Sequence, residues 1–241
     1  YVITQILHYQ YEDDPDMIGT VIGSTEVCAY AFDQNFRLLS KQKNIAKDED
    51  IKAVRFLDDM GYVVTYQQQD PLFSIDFSDP KNLKVMDKIE MPGFSGYLHP
   101  VKDDLLLGIG EAEDGNAKIS LYDITDNHKL SIYDEKEIDH IKYNNVLEDY
   151  RKIFIDEENN IAGFGGTDYG DSDDEKEENR EQNNYVLYHY DRDGKLQQIG
   201  EYPVKKEYRG FINQKFIGMR NGAWFYVIQE ETSRQEDMES V

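Results

Sequence analysis

The chain has 241 residues and a mass of 28.2 kDa, with 49 acidic against 26 basic side chains, a net charge of −23 and a sequence pI of about 4.5. An acidic excess of that size excludes phosphate-backbone binding, which needs clustered Lys and Arg, so nucleic acid and anionic membrane surfaces are poor partners. Cys28 is the single cysteine, so no disulfide forms within the chain, and no apolar run approaches the roughly 18 residues of a membrane-spanning helix.

The rest of the composition favours strands: 18 Tyr and 11 Phe suit half-buried pleated surfaces better than helices. The first residues, Tyr1-Val2-Ile3-Thr4, match Tyr62-Val63-Val64-Thr65 further on, which read as the second strand of a four-strand unit. The chain is therefore expected to start one strand into such a unit. Residues 51–57 form a first strand, and Asp58-Asp59-Met60-Gly61 makes a compact hairpin connection into Tyr62. Residues 72–77 then end at Ser78-Asp79-Pro80, and residues 83–89 precede Pro92-Gly93. Four strands in about 40 residues is the scale of a propeller blade.

The unit recurs. Phe32-Asp33, Ile75-Asp76, Tyr122-Asp123 and Tyr190-Asp191 close the third strand of successive units, at separations of 43, 47 and 68 residues. The long interval contains a segment, residues 168–184, that is rich in Asp and Glu and almost free of apolar side chains, which reads as a solvated insertion. The opening hairpins repeat as well. They turn at Asp58-Asp59, at Lys102-Asp103-Asp104, at residues 156–160 and at Arg220-Asn221-Gly222. Asp and Asn suit all these places because they tolerate turn conformations and bond their own backbone. The expected fold class is all-β: a β-propeller of four-stranded antiparallel blades, forming a partial ring. Residues 1–228 hold about four to five blades, with strands counted three, four, four, four and two, and residues 229–241 form a polar tail. Incomplete terminal blades would invite self-association through unpaired strand edges.

Several segments resemble a secreted bacterial and archaeal β-propeller family distantly related to WD-type repeats. They are Val54-Arg55-Phe56, Gly61-Tyr62-Val63-Val64-Thr65-Tyr66, Asp70-Pro71-Leu72-Phe73, Ile75-Asp76-Phe77-Ser78-Asp79-Pro80 and Pro92-Gly93-Phe94-Ser95-Gly96-Tyr97-Leu98-His99-Pro100. The match continues through Leu107-Gly108-Ile109-Gly110 and Ser120-Leu121-Tyr122-Asp123-Ile124-Thr125-Asp126. The resemblance implies a propeller fold and an extracellular or cell-envelope location, and no reaction. One departure stands out: where the family carries an Asp-His-Lys-Ala element, this chain reads Glu148-Asp149-Tyr150-Arg151-Lys152.

Catalytic signatures are missing. Gly93-Phe94-Ser95-Gly96-Tyr97 lacks the last glycine of a nucleophile elbow, and Gly108-Ile109-Gly110 has Glu113 where a dinucleotide fingerprint needs glycine. His8, His99, His128, His140 and His189 have no metal-ligand spacing, and no cofactor or resident metal is expected. Asp168-Tyr169-Gly170-Asp171-Ser172-Asp173-Asp174 is rich in oxygen ligands but is not an EF-hand loop. For ligand binding the candidates are Arg55, Asp70, Tyr97 and His99. Arg55 sits on a first strand among aliphatic neighbours and needs a carboxylate, for which Asp70 is the nearest choice, and Tyr97 and His99 join the same rim from the next blade. The functional expectation is a noncatalytic extracytoplasmic binding or scaffold module of bacterial type, with a protein, peptide or glycan ligand. The alternative is a hydrolase or lyase with acid and base carboxylates in the propeller mouth.

Overall fold

The computed structural model describes residues 1–11, 21–66, 70–102, 104–126, 129–168, 182–204, 212–220 and 223–230. It divides into two compact units, Tyr1–Glu137 and Ile138–Val241.

The first unit holds three antiparallel sheets. β1 (Val2–Tyr11), β2 (Val21–Phe32) and β3 (Leu38–Gln42) form a three-stranded sheet. β4 (Asp50–Leu57), β5 (Met60–Tyr66), β6 (Asp70–Asp76) and β7 (Lys84–Met91) form a four-stranded meander. β8 (Phe94–Val101), β9 (Leu105–Glu111), β10 (Ala117–Asp126) and β11 (Lys129–Ile138) repeat it. The sheets pack face to face, as propeller blades do. β5 is covered on both faces: Tyr62 and Val64 enter the core shared with Leu98, Leu106 and Tyr122, while Val63 joins the core shared with Val27, Ala29 and Phe77. That double burial is why residues 62–64 are apolar without alternation.

The second unit holds a sheet whose first position is split. β12 (Tyr143–Asn144) and β13 (Phe154–Asp156) both pair with β14 (Ile161–Asp168), which is followed by β15 (Gln182–Asp191) and β16 (Lys195–Val204). β17 (Ile212–Arg220) and β18 (Ala223–Glu230) form a further hairpin. The split carries the departure noted in the sequence. Asp149 accepts from the Arg151 amide at 3.0 Å and caps a 3-10 turn over Tyr150–Lys152. The Arg151 guanidinium grips both carboxylate oxygens at 2.8 and 2.9 Å, and these bonds lower the Asp149 carboxyl to about 2. Tyr150 is 66% exposed.

The recurring Asp residues are turn formers, as their positions predicted. Asp33 accepts from the amides of Asn35 and Arg37 at 2.8 and 2.9 Å, Asp76 from Ser78 at 2.7 Å, and Asp123 from Thr125 at 2.9 Å. Asp191 accepts from the Gly194 amide in the same way. A second repeating bond ties each opening hairpin to the third strand of its blade. The carbonyls of Asp59, Asp104 and Asn160 accept from the amides of Phe77, Ile124 and Tyr190. The acidic insertion and the polar tail lie almost wholly outside the described residues.

Candidate acidic cavity at the seam of two blades

In the first unit the core between the β4–β7 and β8–β11 blades opens at one end into a cavity of about 570 Å³. Its rim carries four carboxylates, Asp58, Asp59, Asp76 and Asp104, drawn from three separate turns. Leu57, Met60, Met86 and Ile124 supply apolar walls. Asp58 and Asp104 hold φ of 50° and 53°, in the left-handed region that Asp tolerates better than most residues. The Asp59 and Asp104 carbonyls are fixed by their bonds to Phe77 and Ile124, at 2.8 and 3.0 Å. The acids therefore stand on backbone pinned to the blades.

Tyr62 completes the cavity. It lines the space, is 1% exposed, and its hydroxyl has no hydrogen-bond partner among the described residues. Burial, helped by the negative charge of Asp104, pushes its phenol up to about 12. In the second unit burial and the charge of Glu201 raise Tyr188 to about 12, and burial with Glu157 and Asp156 raises Tyr190. A folded value above the ordinary value of about 10 means stability is complete below pH 10 and is lost as pH rises toward 12. Denaturant midpoints are therefore expected to fall across that window. The corresponding tyrosinate absorbance should appear only together with unfolding. Ionisation of every tyrosine in a still-folded chain would contradict this.

The residues proposed from sequence lie elsewhere. Tyr97 and His99 are brought together on one face of β8, with parallel rings and a 3.0 Å hydrogen bond between the phenol and Nδ1. Arg55 lies half-buried on β4, directly across from Tyr62 of β5 in the strand register, and no carboxylate among the described residues lies within ion-pair distance of it. Asp70 opens β6 opposite Met91, and its side chain is outside the described residues. The calcium candidate also falls outside them, apart from the backbone of Asp168. Among the described residues no three His, Cys, Asp or Glu side chains are grouped to hold a metal ion. His8, His140 and His189 each pair with a carboxylate, Glu26, Glu201 and Asp191 respectively.

In the sequence Asp58, Asp59 and Asp104 stand out as turn residues only. Their common place in the opening hairpins was the available signal, because turns at one position of successive blades emerge at the same end. Glu111 behaves differently: burial raises its carboxyl, Lys52 opposes the rise, and it ends β9 at the far end of the strand from Asp104. Near it Lys52 lies 5.0 and 5.5 Å from the ring centres of Tyr66 and Phe94.

Stacked four-stranded antiparallel meanders with these repeating turns define a β-propeller fold. The description of the beta propeller domain family matches residues 19–223, and the chain belongs to that family. It is 40% identical over 136 residues to an uncharacterized protein of Methanocaldococcus jannaschii, covering 55% of this chain and 21% of that protein. It is also 40% identical over 109 residues to an uncharacterized protein of Archaeoglobus fulgidus, covering 45% and 17%. The aligned regions span about a fifth of the length of these archaeal relatives. Among solved structures, the hypothetical selenium-binding protein from Sulfolobus tokodaii is similar at a TM-score of 0.48 and 12% identity, over 75% of this chain and 46% of the other. The WD40 domain of Toxoplasma gondii coronin is similar at 0.48 and 14%, over 86% and 50%.

Proposed function

We propose that this chain is a noncatalytic binding or scaffold module that works outside the cytoplasm. The observation that carries the reading is the acidic cavity, a concave site lined by four Asp residues and by apolar side chains on a repeat scaffold. The charge of −23 adds a long-range preference for basic or neutral partners. Proteins, peptides and glycans are the ligand classes in view. Among the described residues no helix is long and apolar enough to cross a membrane.

A thermal-shift screen of peptides, glycans and divalent cations tests the reading, because a ligand that binds only the folded state raises the melting temperature by mass action. At least one class is expected to raise it in a saturable way. A flat response across all classes would count against a binding module. Recovery of the tagged protein in the envelope or medium of its native host tests the location.

A further inference from the structure

We infer that the cavity between the β4–β7 and β8–β11 blades is a receptor for a single Arg or Lys side chain presented by a basic peptide segment. The inference rests on the binding-module reading and names its ligand chemistry. Asp58, Asp59, Asp76 and Asp104 surround the opening, while Leu57, Met60, Met86 and Ile124 form the walls. A cationic head on an aliphatic stem matches both parts: the stem lies along apolar surface and the head stays among carboxylates. The volume of about 570 Å³ admits such a side chain together with part of its backbone.

Tyr62 points to a ligand independently of the acids. The Tyr62 side chain is 1% exposed, lines the cavity and has no hydrogen-bond partner among the described residues, so its hydroxyl is met only by what enters there. A guanidinium or ammonium N–H entering the cavity donates to that oxygen. The carboxylates stand on three different turns and are not grouped as metal ligands. Lys84 stands opposite Asp76 in the β6–β7 register and Lys102 shares the Asp104 turn, but neither lines the cavity.

The test uses the full chain and two capped tetrapeptides that differ only at one position, arginine in one and citrulline in the other, with binding followed by calorimetry. Citrulline keeps the shape of arginine and removes its charge. The arginine peptide is expected to bind at least tenfold more tightly. The double variant Asp58→Asn, Asp104→Asn keeps the turns, since Asn also tolerates left-handed backbone, and is expected to lose about tenfold in affinity. Tyr62→Phe is expected to lose several-fold in affinity with no loss of melting temperature, because no intramolecular bond is removed. Equal affinity for the two peptides, or binding unchanged in the double variant, would overturn the inference. So would a calcium-specific rise in melting temperature that the double variant abolishes, which would make the cavity a metal site. A glycan that binds when the arginine peptide does not would overturn this inference and leave the binding-module reading intact, whereas silence toward every class would remove both.

Discussion

Glu135→Gln is expected to destabilise the fold by about 3 kcal/mol, because it strips the counter-charge from a buried cation. Lys118 on β10 is 1% exposed at its side chain, and its ammonium lies 3.4 Å from the Glu135 carboxylate on β11, itself only 26% exposed. The same ammonium donates to the Pro92 carbonyl just ahead of β8, and the Ser120 hydroxyl donates to Glu135 at 2.8 Å. This network joins the inner entry of the blade to its outer strand. Gln keeps the shape and the acceptor but removes the charge, leaving an ammonium with no route to water. The double variant Lys118→Met, Glu135→Gln should recover at least half of the loss, since removing both charges is far less harmful than removing one. Urea midpoints of the two variants and the parent decide the matter. A single variant within about 1 kcal/mol of the parent would show that the buried ammonium does not depend on Glu135.

Gly110→Ala is expected to be as damaging, about 3 kcal/mol or more, for a steric reason. A Cβ at Gly110 would lie 1.7 Å from the carbonyl oxygen of Phe94 and 2.6 Å from its carbon, both backbone atoms of the neighbouring strand β8. The β8–β9 register shifts there, between Ser95 and Tyr97, and the close approach belongs to that irregularity. Side-chain rotation cannot relieve a clash with backbone, so β8 must move, and the Tyr97–His99 pair moves with it. Gly115→Ala supplies the contrast. Its φ is +82° but nothing lies within 4 Å of the added carbon, so only the local backbone cost of about 1 kcal/mol applies. Equal stability losses in the two variants would refute the steric account.

Much of the architecture was legible in the chain. The apolar run of β5, the Asp residues closing the third strands and the hairpin turns all follow from local chemistry: double burial, side-chain bonds to nearby amides, and tolerance of left-handed backbone. Tyr97 and His99 were legible together because residues two apart on a strand share a face. The split of the first strand into β12 and β13 was not foreseen, because the turn at Tyr150–Lys152 depends on one Asp cap and one Arg.

By itself the sequence determined the class of fold, the repeat and the acidic character, since each depends on residues within one blade or on composition. Tertiary structure alone decided the site. Asp58 and Asp104 are 46 positions apart and meet around one cavity because consecutive blades stack in register. The same stacking assigns Lys118 to Glu135 and obliges Gly110 to lack a side chain. These are properties of which surfaces face each other, and the local patterns that specify strands and turns leave that undetermined.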